Sequence, residues 1–300
     1  MNFKVFAELI ELKAKAASVF PFIMGFLYSW YHYQQVKPLY MFLFFISMLL
    51  FNMAVDILDN YMDYHHATDH HNYKEETNII GRENLSLTLV RNIMLGLIII
   101  SALIGVYLAS QTNWVILWLG MFSYFIGISY SAGPKPLSSL PVGEITSGIT
   151  MGIVIPLICV YLNLFDIVPF NWNFIINVAI LSLPTALAIS NLMLANNTCD
   201  MEEDILNNRH TLVFYIGKKR AVTLFKTLVI LSFVFATIGV ILHIVPITLL
   251  GIWIVFPKIW QNTLIYSKKQ IKTKTFPLAI KNLGMIALFQ VILFFIGLWF

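Results

Sequence analysis

Two pairs of aspartates stand at the ends of strongly apolar segments, Asp59/Asp63 and Asp200/Asp204, each spaced i, i+4. On a helix that spacing puts both carboxylates of a pair on one face. An Asp at the centre of a membrane helix costs about 2.5–3.5 kcal/mol, so acids in such segments mark functional sites. Two pairs on separate helices suit a pair of magnesium ions holding a diphosphate. Bridged between carboxylates and phosphate oxygens, magnesium acts as a Lewis acid on a diphosphate leaving group. Asn196, four residues before Asp200, adds a neutral oxygen ligand.

Basic and aromatic residues supply the remaining chemistry. Lys15, Arg82, Lys135 and Arg209 are candidates to contact phosphate oxygens or a substrate carboxylate. Each also fits a topology role, except Lys135, which sits in the tight turn Tyr130-Ser-Ala-Gly133-Pro134-Lys135-Pro136-Leu137. Tyr61, Tyr124 and Tyr130 offer ring faces to an allylic cation. His65, His66, His70 and His71 lack the partners of a closed four-ligand zinc site and read as a solvated loop. Asp56 and Asp69 read equally well as a helix cap or a solvated loop residue.

The elements that must position these groups are membrane helices. Of 300 residues, 59% are hydrophobic and 11% charged, against about 25% charged in a soluble domain. Runs long enough to span fall near 16–35, 38–60, 87–110, 114–131, 144–165, 172–195, 220–244, 246–266 and 277–300. The expected fold is therefore all-α and integral to the membrane, with nine transmembrane helices in a single domain over 1–300. Pro257 is expected to kink the eighth.

With the N-terminus inside, Lys74, Arg82, Lys135, Arg209, Lys218, Lys219, Lys268, Lys269, Lys272 and Lys274 fall in cytoplasmic connections. Lys37 and Asp166 are the lone basic and acidic residues on the outer side. That asymmetry predicts an N-in, C-out protein of the cell membrane, its active site facing the cytoplasm. The +4 net charge reflects this topology and gives no reason to expect a nucleic-acid partner. Two long cytoplasmic loops, 64–85 and 197–219, are expected to cap a central cavity as lids. Residues 1–15 read as a short amphipathic helix with Phe3, Phe6, Leu9 and Ile10 on its apolar face. Asn60-x-x-Asp63 and Asn197-x-x-Asp200 suggest an internal duplication, and Cys159 and Cys199 are not placed to pair.

The motif Asn196-Asn197-x-x-Asp200-x-x-x-Asp204, followed by Arg209-x-Thr211-Leu212, resembles the UbiA superfamily of membrane prenyltransferases. So does Tyr130-x-x-Gly133-x-x-Pro136-Leu137 leading to Gly143-Glu144. The likeness is greatest to the 1,4-dihydroxy-2-naphthoate branch, known as MenA, and covers essentially the whole chain. Two departures stand out. The family's first motif usually reads Asn-Asp-Tyr-x-Asp, whereas this chain has Asp59-Asn60-Tyr61-Met62-Asp63. Its N-terminal Arg-Pro-Lys signature is replaced by Lys13-Ala14-Lys15.

The resemblance implies transfer of a polyprenyl chain from polyprenyl diphosphate to 1,4-dihydroxy-2-naphthoate, releasing diphosphate and carbon dioxide. The product would be demethylmenaquinone, a precursor of menaquinone. It further implies Mg2+ as cofactor, held by Asp59, Asp63, Asn196, Asp200 and Asp204, with Lys135 and Tyr130 also at the reacting centre. The diphosphate would meet Lys15, Arg82, Arg209, Asn196 and Asn197, while the apolar tail lies among the helices or in the lipid bilayer. A related acceptor such as 4-hydroxybenzoate or a porphyrin-type ring is the nearest alternative. An ion-coupled transporter is a more distant one, disfavoured because its acids would lie near the bilayer midplane.

Overall fold

The computed structural model describes residues 1–66 and 77–300. The described residues are helical throughout, with no strand among them. Among them twelve α-helices follow in order: α1 Phe3–Leu9, α2 Ala16–Tyr33, α3 Pro38–His66, α4 Ile79–Arg82, α5 Leu87–Gln111, α6 Trp114–Ser131, α7 Gly143–Ile149, α8 Ile155–Leu164, α9 Trp172–Leu206, α10 Leu212–Ile241, α11 Phe256–Lys268 and α12 Phe276–Ile296. A π-helical turn, Thr150–Val154, joins α7 to α8, so the two form one apolar rod from Gly143 to Leu164.

Seven helices among the described residues are long and apolar enough to cross a membrane: α3, α5, α6, the α7–α8 rod, α9, α10 and α12. The chain is a multi-pass membrane protein. Two of the nine expected spans differ in character from these seven. Helix α2 is diluted by Tyr28, Trp30, Tyr31, His32 and Tyr33 near its end, aromatic and polar side chains that suit an interface better than hydrocarbon. The run 246–266 is not one kinked α-helix. A 3-10 stretch, Ile247–Val255, precedes α11, and Pro257 lies in the first turn of α11, where its missing N–H removes no hydrogen bond.

The chain divides into two compact units, Met1–Ala16 with Phe42–Leu137, and Ala17–Met41 with Ser138–Phe300. In the first, α1 begins at an Asn2 cap, whose Oδ1 accepts from Val5 N at 2.9 Å. It stops at Leu9, and Glu11 turns the chain in the left-handed region at φ 47°. That early stop sets the buried face: Val5, Leu9 and Ile10 are buried with Ala54 and Ile57 of α3 and Ile79 and Ile80 of α4, while Phe3 stays exposed. In the second unit, Leu194 and Ala195 of α9 pack with Val213, Ala221 and Phe225 of α10 and Tyr266 of α11. The Tyr266 hydroxyl donates to the Ala195 carbonyl at 3.0 Å, fixing α9 one turn before its acids.

Both acid-bearing helices run further than their apolar stretches. α3 continues past residue 60 to His66, and α9 past 195 to Leu206. The expected loop over 197–219 is therefore mostly helix, reduced to 207–211. Asn208 ends α9 in the left-handed region at φ 56°, a conformation asparagine tolerates better than most residues. Gly217 then breaks α10 at φ 77°, where a side chain would be strained.

Candidate active site

In the first unit, Asn52, Asp56, Asp59 and Asp63 recur on α3 at intervals of four, three and four, forming one stripe. Their environments differ. Asp59 Oδ1 accepts from Ser131 Oγ, at the end of α6, at 2.6 Å. Asp56 is ion-paired with Lys15, whose Nζ also donates to Asn52 Oδ1 at 2.5 Å and to the Asn52 carbonyl at 3.3 Å. The lysine side chain is only 6% exposed, so this clamp ties the N-terminal segment to α3. The Asn60 amide donates to the carbonyls of Asp56 and Leu9 at 3.0 and 3.4 Å. Its own carbonyl accepts from Asn78 Nδ2 at 2.9 Å. Asn60 thus holds backbone together at the position where the family usually has an acid.

The other candidates of this unit are placed as follows. The Arg82 guanidinium lies at 2.6 Å from Glu8 and 3.5 Å from Glu83. Tyr124 lies in helix packing, its hydroxyl 2.6 Å from Ser101 Oγ and its ring stacked on Phe51. Tyr61 lies beside His65, ring centroids 4.3 Å apart, and His65 Nδ1 is 2.8 Å from the Tyr61 carbonyl. Tyr130 is half-buried, one residue before Ser131 at the end of α6. Lys135 is exposed in the following turn, which Gly133 makes possible with φ 113°. Asp69, His70, His71 and Lys74 lie outside the described residues.

In the second unit, Asn196, Asn197, Asp200 and Asp204 occupy the last three turns of α9. Lys272, from the segment between α11 and α12, donates to Asn196 Oδ1 at 2.6 Å and is ion-paired with Asp200. Asp204 Oδ1 lies 3.2 Å from Arg209 Nε. The Asp204 carbonyl also accepts from Arg209 N at 2.8 Å, so the turn that ends the helix also delivers the guanidinium. Asn197 faces elsewhere: buried, it donates to Glu144 Oε1 at 2.8 Å, in the first turn of α7. Its amide therefore orients a carboxylate instead of standing open to a phosphate.

The donor set fits magnesium. Asp204 Oδ2 is buried and accepts no hydrogen bond among the described residues, which leaves a hard anionic oxygen in need of a partner. The Lys272 ammonium already bridges the Asn196 and Asp200 oxygens as a positive charge. Among the described residues no three His, Cys, Asp or Glu side chains converge as a cage. Magnesium held through one or two carboxylates together with substrate phosphates needs none.

Asn52, Ser131 and Lys272 escape sequence reasoning. Asn52 had a usable signal, since it precedes Asp56 by four residues just as Asn196 precedes Asp200. That register, and not Asn60 against Asn197, is the one in which the two motifs do the same thing. Ser131 and Lys272 carry no local signal, because only the tertiary fold brings them to α3 and α9.

The sequence matches the UbiA prenyltransferase family over residues 18–283. It is 29% identical over 217 residues to the 1,4-dihydroxy-2-naphthoate octaprenyltransferase of Bacillus subtilis (strain 168), spanning 72% of this chain and 67% of that relative. The fold is similar to that of a digeranylgeranylglyceryl phosphate synthase, with a TM-score of 0.66 at 18% identity over 98% of both chains. It is also similar to a UbiA homolog from Archaeoglobus fulgidus bound to GPP and Mg2+, with a TM-score of 0.64 at 13% identity over 99% of this chain and 100% of that one. At those identities the structural likeness is one of fold.

Proposed function

Because the chain belongs to the UbiA prenyltransferase family, and is therefore a membrane prenyltransferase, we propose that its acceptor is 1,4-dihydroxy-2-naphthoate and its donor a polyprenyl diphosphate. The observation that carries this reading is the Asn196, Asp200 and Asp204 oxygen set on one face of α9 with Arg209 beside it. Its likeness to the Bacillus subtilis octaprenyltransferase favours the naphthoate over other rings.

Bound magnesium would supply Lewis-acid neutralisation of the diphosphate. Asn196, Asp200 and Asp204 are the residues proposed to hold one ion, and Asp59 and Asp63 another. Ser131 keeps Asp59 oriented through its hydroxyl. Arg209 and the exposed Lys135 are the cations proposed for phosphate oxygens. Lys15, only 6% exposed, would first have to leave Asp56, so it is assigned to holding the N-terminal segment, while Arg82, whose pair with Glu8 is open to solvent, stays a proposed phosphate cation. The faces of Tyr61 and Tyr130 are proposed to stabilise the allylic cation left when the C–O bond breaks.

The acceptor carbon bearing the carboxylate forms the new C–C bond, and loss of carbon dioxide from that carbon restores the aromatic ring. No proton has to leave it. Atom balance then gives the reduced product, demethylmenaquinol, which oxidation converts to demethylmenaquinone. Water has to be kept from the cation, a task for the apolar helices around the site.

In the membrane we infer nine spans, N-in and C-out, by adding α2 and the stretch 247–268 to the seven apolar helices. The pairing of Lys37 with Asp166 at 2.6 Å supports this, since these are the two charged residues assigned to the outer side.

The test is prenyl transfer by the purified chain in detergent or vesicles with Mg2+ and a polyprenyl diphosphate, offering dihydroxynaphthoate and 4-hydroxybenzoate in parallel. Prenylated naphthoquinol with release of carbon dioxide is expected from the first acceptor. Product from the second alone would reassign the acceptor, and product from neither would overturn the reading.

A further inference from the structure

Lys272 does more than neutralise a surface acid. Its Nζ bridges Asn196 Oδ1 and Asp200 Oδ2, two of the oxygens proposed above to hold a magnesium ion. An ammonium and a divalent cation cannot share that position, because both need the same lone pairs and repel each other at such short range. The lysine is also built to leave. Its side chain is 47% exposed. The backbone around it is fixed without the ion pair: Ile271 N donates to Thr275 Oγ1 at 2.8 Å, and the Ile271 carbonyl accepts from Thr275 N at 2.8 Å. Only the side chain has to swing, and the Phe276 ring, 5.0 Å from Nζ, lies within cation–π reach.

We propose that Lys272 is an internal counter-cation of the second aspartate motif: it occupies the metal position when metal is absent and is displaced by the incoming divalent ion. The proposal rests on the assignment of Asn196 and Asp200 as metal ligands. It assigns the lysine a competing role, so that metal affinity is set below what the bare acids would give, and metal arrival releases a positive charge beside the site.

The experiment is Mn2+ binding by the purified full-length chain in detergent without diphosphate, followed by electron paramagnetic resonance. Lys272→Met is expected to bind about three- to tenfold more tightly than the parent, the scale of losing one partly exposed competing charge. Lys272→Arg, which keeps the charge, is expected to stay close to the parent. Asp200→Asn is expected to lose this binding. If Asp200→Asn abolishes binding while Lys272→Met binds no more tightly than the parent, the counter-cation role fails and the metal site stands. If Asp200→Asn binds as the parent does, the metal assignment fails, and the proposal with it. A second readout is acylation of Lys272 by an amine reagent, expected to speed up when Mn2+ is added to the parent; an unchanged rate would overturn displacement.

Discussion

The two units each carry the same small device, an Asn-x-x-x-Asp turn of helix bridged by a lysine from elsewhere in the chain. Lys15 bridges Asn52 and Asp56 on α3, and Lys272 bridges Asn196 and Asp200 on α9. The chemistry matches but the setting does not. Lys15 is 6% exposed and bonded to α3, while Lys272 is 47% exposed on a short connecting segment. A clamp whose lysine is buried becomes part of the fold, because that ammonium cannot be left alone without a desolvation cost. An open one costs little to make or break. One pattern therefore serves as architecture in the first unit and remains available for chemistry in the second.

Breaking the clamps one at a time tests this division. Lys15→Met leaves Asp56, itself 22% exposed, without its cation, a change expected to cost about 1–3 kcal/mol. It should appear as a marked fall in the thermal unfolding temperature in detergent, partly restored when Asp56→Leu is added. Lys272→Met is expected to change stability by less than about 1 kcal/mol. Equal losses in the two variants would erase the distinction. Asp200→Asn and Asp63→Asn, in contrast, should leave folding nearly intact while lowering prenyl transfer about a hundredfold or more, the scale of removing a group that stabilises developing charge. Folded variants with near-parental turnover would remove these acids from the site.

A smaller effect is expected at Asn197. Its amide donates to buried Glu144, whose Oε2 has no side-chain partner among the described residues, so Asn197→Leu should cost about 1–3 kcal/mol by taking away the partner of Oε1 as well. Prenyl transfer measured on the surviving folded fraction should fall far less than in Asp200→Asn. A loss of turnover as large as that of Asp200→Asn, with stability unchanged, would return Asn197 to the diphosphate site.

Much of this was legible in the residues. The apolar runs located the seven helices that qualify as spans among the described residues, and i, i+4 spacing placed the acids on one face. The helix ends were less legible, because Cys199-Asp200-Met201-Glu202-Glu203-Asp204 is polar enough to read as loop yet contains nothing that breaks a helix. The break comes only at Asn207 and Asn208. Lys15 was legible as a cation near the site but not as Asp56's partner, a contact across 41 positions. Lys272 could not be singled out at all, since Lys268, Lys269 and Lys274 flank it with the same composition. Pairing of this kind is decided by packing between helices, and periodicity within one helix carries no record of it.

A further acid–lysine pair extends the comparison, its lysine 19% exposed, between the 6% of Lys15 and the 47% of Lys272. Lys37 and Asp166 meet at 2.6 Å, with Asp166 47% exposed in the connection after α8. The hydrogen bond from Lys37 is the main reason the Asp166 carboxyl is held below the usual carboxylate range. A carboxyl whose folded pKa is depressed contributes stability above its unfolded pKa and loses it as pH falls through the folded value. Asp166→Asn should therefore melt slightly below the parent near neutral pH, with the gap closing as the solution is acidified past the ordinary carboxylate range. Added salt should narrow the same gap, because an exposed pair is screened. A gap that persists in acid or high salt would mean that Asp166 acts through something other than its charge.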